Sequence, residues 1–320
     1  MRRTGIAIAM LVPAALLAVA GHALLARHVT LIPSPIAASG QPVRLAPGGA
    51  RCGADKAPAR LLVGLAPGAN MQHKLARFTA GSGIRPTVVE YYQQFGKPFD
   101  AGYTCMITRA GALPMIQLLP RVVPVPEIAS GLYDKYLKSY AHAIKAFGHP
   151  VALSFGHEMN GSWELWGWQH TSPADFRAAW RHMHDVFAAA GASNVIWVWN
   201  VNRKSPDVSG DREWWPGAAY VNWVGIDAYY RSPTATFASV FDATISTVRT
   251  FTSDPIVFCE TGAGRTPRQG AQIASLFAGV RSTPGLLGFV WFDVNAKERW
   301  RIDDYPVALA AFRRAATAGV

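Results

Sequence analysis

The chain has 320 residues, 50% hydrophobic, 11% aromatic and only 16% charged, which excludes a natively disordered chain, a coiled coil and a collagen-like repeat. Its formal charge of +11, from 31 Lys and Arg against 20 Asp and Glu, points on its own to a polyanionic partner. The basic residues are spread singly, with Arg2-Arg3, Arg203-Lys204 and Arg313-Arg314 as the adjacent pairs, so the basic stripe of a nucleic-acid binder is missing and no such partner is expected.

In chain order, residues 1–26 open with Arg2-Arg3 and continue as an apolar run broken by Pro13, ending in Ala18-Val19-Ala20-Gly21-His22-Ala23. A positive start, an apolar middle and A-x-A sites read as a secretory signal peptide; the run is also long enough to stay as an uncleaved membrane anchor. Both readings put the protein outside the cytoplasm, secreted or on the cell envelope, with membrane contact through this segment alone. Residues 27–59 are rich in Pro, Ala and Gly and show no period of 2 or 3.6, which reads as a lead-in. Three cysteines, Cys52, Cys105 and Cys259, are too few for a disulfide framework or a zinc site. Export makes oxidation available and Cys259 lies inside an apolar strand pattern, so a Cys52–Cys105 bridge to an early helix is expected, with three unpaired thiols as the alternative.

From residue 60 onward, short apolar runs alternate with amphipathic stretches. Strands are expected at 61–65, 86–91, 114–119, 151–155, 195–199, 223–227, 256–259 and 287–291. Helices are clearest at 134–147, 173–190, 237–250, 268–280 and 306–316. Ser172 before Pro173 caps the second of these and Gly191 stops it. Eight strands with crossover helices in residues 60–320 predict an α/β fold, a single (β/α)8 TIM barrel of ordinary size. A doubly wound sheet is the runner-up, but no G-x-G-x-x-G follows the first strand.

In a barrel, chemistry sits where strands end. The fourth strand runs into Ser154-Phe155-Gly156-His157-Glu158-Met159-Asn160-Gly161-Ser162-Trp163, and the seventh into Phe258-Cys259-Glu260-Thr261-Gly262. Two of the seven glutamates in the chain therefore end apolar strands, where an ionised carboxyl is costly unless function or pairing compensates. Retaining glycoside hydrolysis needs such a pair, one a protonated acid and the other an ionised nucleophile. Aromatic residues cluster after the same strands, at Trp163, Trp166, Trp168, Tyr229, Tyr230, Trp291 and Phe292, and sugar rings stack on such faces. No H-x-x-x-H or G-x-S-x-G pattern is present, so metal and serine-hydrolase chemistry are not expected and no cofactor is required.

His157-Glu158-Met159-Asn160-Gly161 with Trp163 and Trp166-Gly167, then Trp223-Val224-Gly225-Ile226-Asp227-Ala228-Tyr229, Glu260-Thr261-Gly262 and Trp291-Phe292 resemble glycoside hydrolase family 26. The resemblance implies Glu158 as acid/base and Glu260 as nucleophile. It implies His157 in the catalytic subsite, Tyr229 donating to the nucleophile, Trp163 and Trp291 as sugar platforms with Trp166 nearby, and Asn200 or Asp227 on sugar hydroxyls. The family acts on β-mannan, mixed-linkage β-glucan and β-1,3-xylan; many of its mannan-cleaving members carry a third-strand His, where this chain reads Met115-Ile116-Gln117-Leu118-Leu119-Pro120-Arg121. The expected activity is a retaining endo-β-glycosidase, β-1,4-mannan first, with a polysaccharide substrate and no protein partner. Alternatives are an envelope enzyme processing the organism's own polymer and a non-catalytic carbohydrate-binding protein.

Overall fold

The computed structural model describes residues 61–296 and 298–318; the expectations for residues 1–26, for 27–59 and for Cys52 lie outside the described residues. Eight parallel strands close into a barrel in sequence order: β1 Leu62–Ala66, β2 Val88–Gln94, β3 Leu113–Leu119, β4 Val151–Phe155, β5 Val195–Asn202, β6 Trp223–Asp227, β7 Ile256–Thr261 and β8 Leu286–Phe292. Helices α1 Met71–Ser82, α2 Ala101–Arg109, α3 Val125–Ala129, α4 Asp134–Phe147, α5 Pro173–Ala190, α6 Ala243–Arg249, α7 Gln269–Ser282 and α8 Pro306–Thr317 lie between and after them. The chain thus forms a (β/α)8 barrel. No helix among the described residues is long and apolar enough to cross a membrane.

Local chemistry explains the element ends. Ser172 accepts from the Asp175 amide ahead of Pro173, and Gly191 closes α5 at φ 74°, a left-handed turn that glycine adopts without strain. The helix expected at 237–250 opens instead as a wider π-type turn over Ala238–Asp242, in which Phe241 stacks on Phe258 at 3.9 Å. Helices α1, α2 and α3 add to the five that stand out in the sequence. Cys105 on α2 is disulfide-bonded, whereas Cys259 is a free, buried thiol.

Strand alternation sorts side chains into two cores. Leu62, Val88, Met115, Ala152, Val198, Val257, Cys259 and Val290 plug the lumen, while the large aromatics pack between strands and helices. Moving two residues at a time toward the strand ends, the lumen turns polar: Val88 to Glu90 and Tyr92, Met115 to Gln117, Val198 to Asn200 and Asn202, Gly225 to Asp227. The barrel is therefore apolar at its base and hydrogen-bonded at its mouth, the end that carries function in this architecture.

Closure depends on one close approach. A Cβ on Gly288 would stand 1.9 Å from the Leu62 carbonyl oxygen and 2.6 Å from its carbonyl carbon across the β1–β8 seam, a contact with backbone that has no flexible end to swing aside. Gly288→Ala is expected to cost about 3 kcal/mol, read as a lower urea midpoint with unchanged slope.

Candidate active site

Each functional side chain at the mouth is placed by an identifiable backbone device. After β4 the chain turns at Gly156, φ 55°, and Glu158 itself takes φ 53°, a left-handed conformation costly for a residue with a side chain and concentrated at functional sites. The turn is held by the Glu158 amide donating to the Asn200 carbonyl at 2.8 Å. Asn160, fully buried, donates to the Asn202 carbonyl at 2.8 Å and to Asp211 Oδ1 at 2.9 Å, and accepts from the Asn202 amide at 2.9 Å. It staples the β4 loop to the end of β5, so that Asn202 Nδ2 donates to Glu158 Oε1. Trp163 Nε1 donates to Glu158 Oε2 at 2.6 Å.

Glu260 reaches the lumen by another route. Between the pairs Gly225↔Val257 and Asp227↔Glu260, and again between Phe258↔Phe289 and Thr261↔Trp291, β7 carries one residue more than its neighbours. This bulge lets Cys259 fill the lumen plug and still turns Glu260 into the mouth. There Tyr92 Oη donates to Glu260 Oε1 and Tyr229 Oη to Glu260 Oε2. Trp300 lies against Tyr229 with ring centroids 4.7 Å apart. Its loop is pinned by Asp293 Oδ1, which accepts the Ile302 amide at 2.6 Å and the Asp303 amide at 3.1 Å.

Four carboxyl groups, on Glu90, Glu158, Asp227 and Glu260, share this low-dielectric mouth. Burial raises all four pKa values, and the negative charge of Glu260 further raises Glu90, Glu158 and Asp227. Hydrogen-bond donors pull each of them partly back down, and Glu260 is the one that also has a cation, Arg231, beside its two phenolic donors, so the charge the cluster carries settles there. Glu158, pushed up to about 8 by burial and by Glu260, is a neutral acid at pH 7. His157 is driven down to about 3 by burial and the Arg121 charge, so its imidazole is neutral, and its buried Nδ1 has no hydrogen-bond partner. A neutral carboxylic acid and an ionised carboxylate facing one cleft can protonate a leaving group and attack a carbon centre.

The expected site residues separate into three groups. Glu158, Glu260, His157, Tyr229 and Trp163 come together at the mouth. Asn200 and Asp227 form its floor, both fully buried, with Asn200 Nδ2 on Asp227 Oδ2 at 2.9 Å. Trp166 and Trp291 are corrected: at 1% and 0% exposure neither ring offers a face to a sugar. Trp166 Nε1 donates to the His157 carbonyl at 2.7 Å and braces that turn. Trp291 points away from the lumen, bonds the Trp300 carbonyl at 2.8 Å and packs on Phe312; the lumen-facing neighbour is Phe292, edge-on to Tyr92 and Tyr229.

Sequence reasoning missed Tyr92, Glu90 and Asn202. The second strand was expected to stop at residue 91 but continues to Gln94, and the period of two that puts Glu90 and Tyr92 on one face was the available signal. His157, Asp227 and Glu260 each bring a potential metal-ligand atom within 4.8 Å of the others.

Residues 131–258 match the model of glycosyl hydrolase family 26. The chain is 30% identical over 233 residues to Endoglucanase H of Acetivibrio thermocellus, covering 68% of this chain and 26% of that protein. It is 31% identical over 118 residues to a mannan endo-1,4-beta-mannosidase of Bacillus subtilis, covering 33% of this chain and 29% of that one. The chain thus spans about a quarter of the length of these curated relatives. Among solved structures, the GH26 beta-mannanase BoMan26A of Bacteroides ovatus superposes with a TM-score of 0.57 at 16% identity, over 76% of this chain and 82% of that chain, a likeness of fold.

Proposed function

The chain belongs to glycosyl hydrolase family 26, and from that membership we propose that it is a retaining endo-β-glycosidase acting on a β-linked glycan, with β-1,4-mannan as the first candidate. The observation that carries this reading is a pair of buried carboxyls, just after β4 and on β7, that face one cleft: Glu260 accepts from the Tyr92 and Tyr229 hydroxyls, while burial and the Glu260 charge push the Glu158 pKa up. In the first step a Glu260 oxygen attacks the anomeric carbon, the bond to the glycosidic oxygen breaks, and that oxygen takes the Glu158 proton. In the second, Glu158 takes a proton from water, the water oxygen attacks the same carbon, and Glu260 leaves as the carboxylate. His157, with a neutral imidazole beside the cleft, lies in the reacting subsite, and Trp163 combines a contact on Glu158 with a partly exposed ring. Export through residues 1–26 belongs to the same proposal, and a shortened N-terminus on protein recovered outside the cytoplasm tests it.

The substrate test is reducing-sugar release from mannan, glucomannan, mixed-linkage glucan, β-1,3-xylan and the native envelope polysaccharide. Release from mannan, absent in Glu158→Ala and Glu260→Ala, is the expected result. A second reading, an acidic envelope polymer, is favoured by cationic groups beside the cleft: Arg121 after β3 sits over the Trp166 ring and Arg231 after β6 over the Tyr229 ring, at 5.6 and 5.4 Å. Release from the envelope polymer alone would select it.

Because Glu158 must be protonated to act as an acid and its pKa lies at about 8, kcat/KM is expected to fall as pH rises through that value. A pH–rate profile reads it directly; an alkaline limb near the ordinary carboxyl range would contradict the assignment.

A further inference from the structure

We propose that Glu90 is a neutral carboxylic acid that acts as a positioning residue, donating its proton to the Tyr92 hydroxyl so that the single Tyr92 proton is committed to Glu260. The inference rests on the reading of Glu260 as nucleophile and comes from counting protons. Tyr92 Oη lies 2.9 Å from Glu90 Oε1 and also bonds Glu260 Oε1, the shorter contact of the two. A phenol has one proton and can donate once. With that proton on Glu260, the contact to Glu90 is bonding only if Glu90 brings a proton of its own.

The surroundings of Glu90 agree. It is fully buried, and among the described residues it takes part in no ion pair. Its second oxygen accepts from Gln117 Nε2 at 3.3 Å, which leaves Oε1 as the atom that carries the proton. The titratable groups facing it are Tyr92 on its own strand, Asp227 on β6, and Cys259 and Glu260 on β7; none is a cation. Burial and the Glu260 charge raise its pKa well above the usual carboxyl range. The result is a chain in which the Glu90 hydroxyl donates to Tyr92 and the Tyr92 hydroxyl to Glu260, each bond polarising the next. It stabilises the ionised form of Glu260 from beneath the floor, without Glu90 touching substrate.

The acid limb of the pH–rate profile, which reports protonation of Glu260, tests this. Glu90→Leu removes the donor; kcat is expected to fall by about 10- to 100-fold with KM little changed, and the limb to move to higher pH. Glu90→Gln supplies an amide donor to Tyr92 and an acceptor to Gln117 and is neutral, so it is expected to rescue most of kcat and leave the limb in place. Tyr92→Phe is expected to reproduce the Leu effect, and adding Glu90→Leu to it to cost nothing more.

A limb that moves to lower pH in Glu90→Gln would show that a negative charge was lost and overturn the proposal. So would equal behaviour of the Leu and Gln variants. If Glu90→Leu does not fold, the Gln limb and the Tyr92→Phe limb decide the matter. Failure of the underlying reading looks different: an inactive wild type, or an active Glu260→Ala.

Discussion

Glu260→Ala is expected to lower turnover by at least about 10⁴-fold while leaving the barrel folded. The loss follows from chemistry, because of the four clustered carboxyls only Glu260 has a cation among the groups that favour its charge. The retained fold follows from electrostatics. Glu260 raises the pKa values of Glu90, Glu158 and Asp227, so removing it relieves the other three carboxyls. The apparent melting temperature at neutral pH should therefore not fall. A small anion such as azide can enter the vacated space and attack the anomeric carbon from the same face. The glycosyl azide so formed has inverted configuration, and its appearance would place the missing atom on the nucleophile side of the sugar.

Glu158→Ala should behave differently. On a polymer, whose leaving group needs a proton, kcat/KM is expected to fall by about 10²- to 10⁴-fold. On an aryl glycoside with a strongly acidic phenol, the first step no longer needs the acid and glycosylation proceeds. Release of water-derived product then becomes limiting, because Glu158 is also the base of the second step in the proposed mechanism. Azide should accelerate that step and yield a glycosyl azide of retained configuration. The alkaline limb near pH 8 should vanish. The opposite stereochemistry of the two azide products separates the roles of the carboxyls without any assumption about the polymer.

Much of this site was legible before any coordinates. β4 and β6 run over the expected residues because their apolar runs end abruptly at Gly156 and at Asp227. The two glutamates stood out because a carboxyl after an apolar run is expensive. The inward or outward aim of the aromatics was not legible. A barrel strand is covered on both faces, so its sequence reads as continuous apolar residues with no polar alternation to mark the lumen. The resemblance implied Trp291 as a sugar platform, and nothing in the strand's own residues shows that Trp291 packs on Phe312 of α8 while Phe292 faces the lumen.

Two further features needed the register. The extra residue in β7 turns Glu260 inward against the simple alternation that would put it on the opposite face from Cys259. Glu90 was hidden by its position next to the last residue of the expected second strand. Only the parallel pairing of Glu90 with Met115 and of Tyr92 with Gln117 shows that β2 reaches across the floor to the carboxyl on β7. The proposed catalytic pair is therefore a property of strand ends, readable locally, while the network around it is a property of closure around the barrel.

The central claim is a double displacement with Glu260 as the attacking group. It is tested most directly by proton NMR of the anomeric centre during the first minutes of hydrolysis of a polymer from the substrate panel on which the protein proves active. Formation of the β-anomer first, followed by slow mutarotation to the α form, is the result this account predicts. The α-anomer appearing first would mean direct attack by water, with Glu260 as a base, and would contradict it.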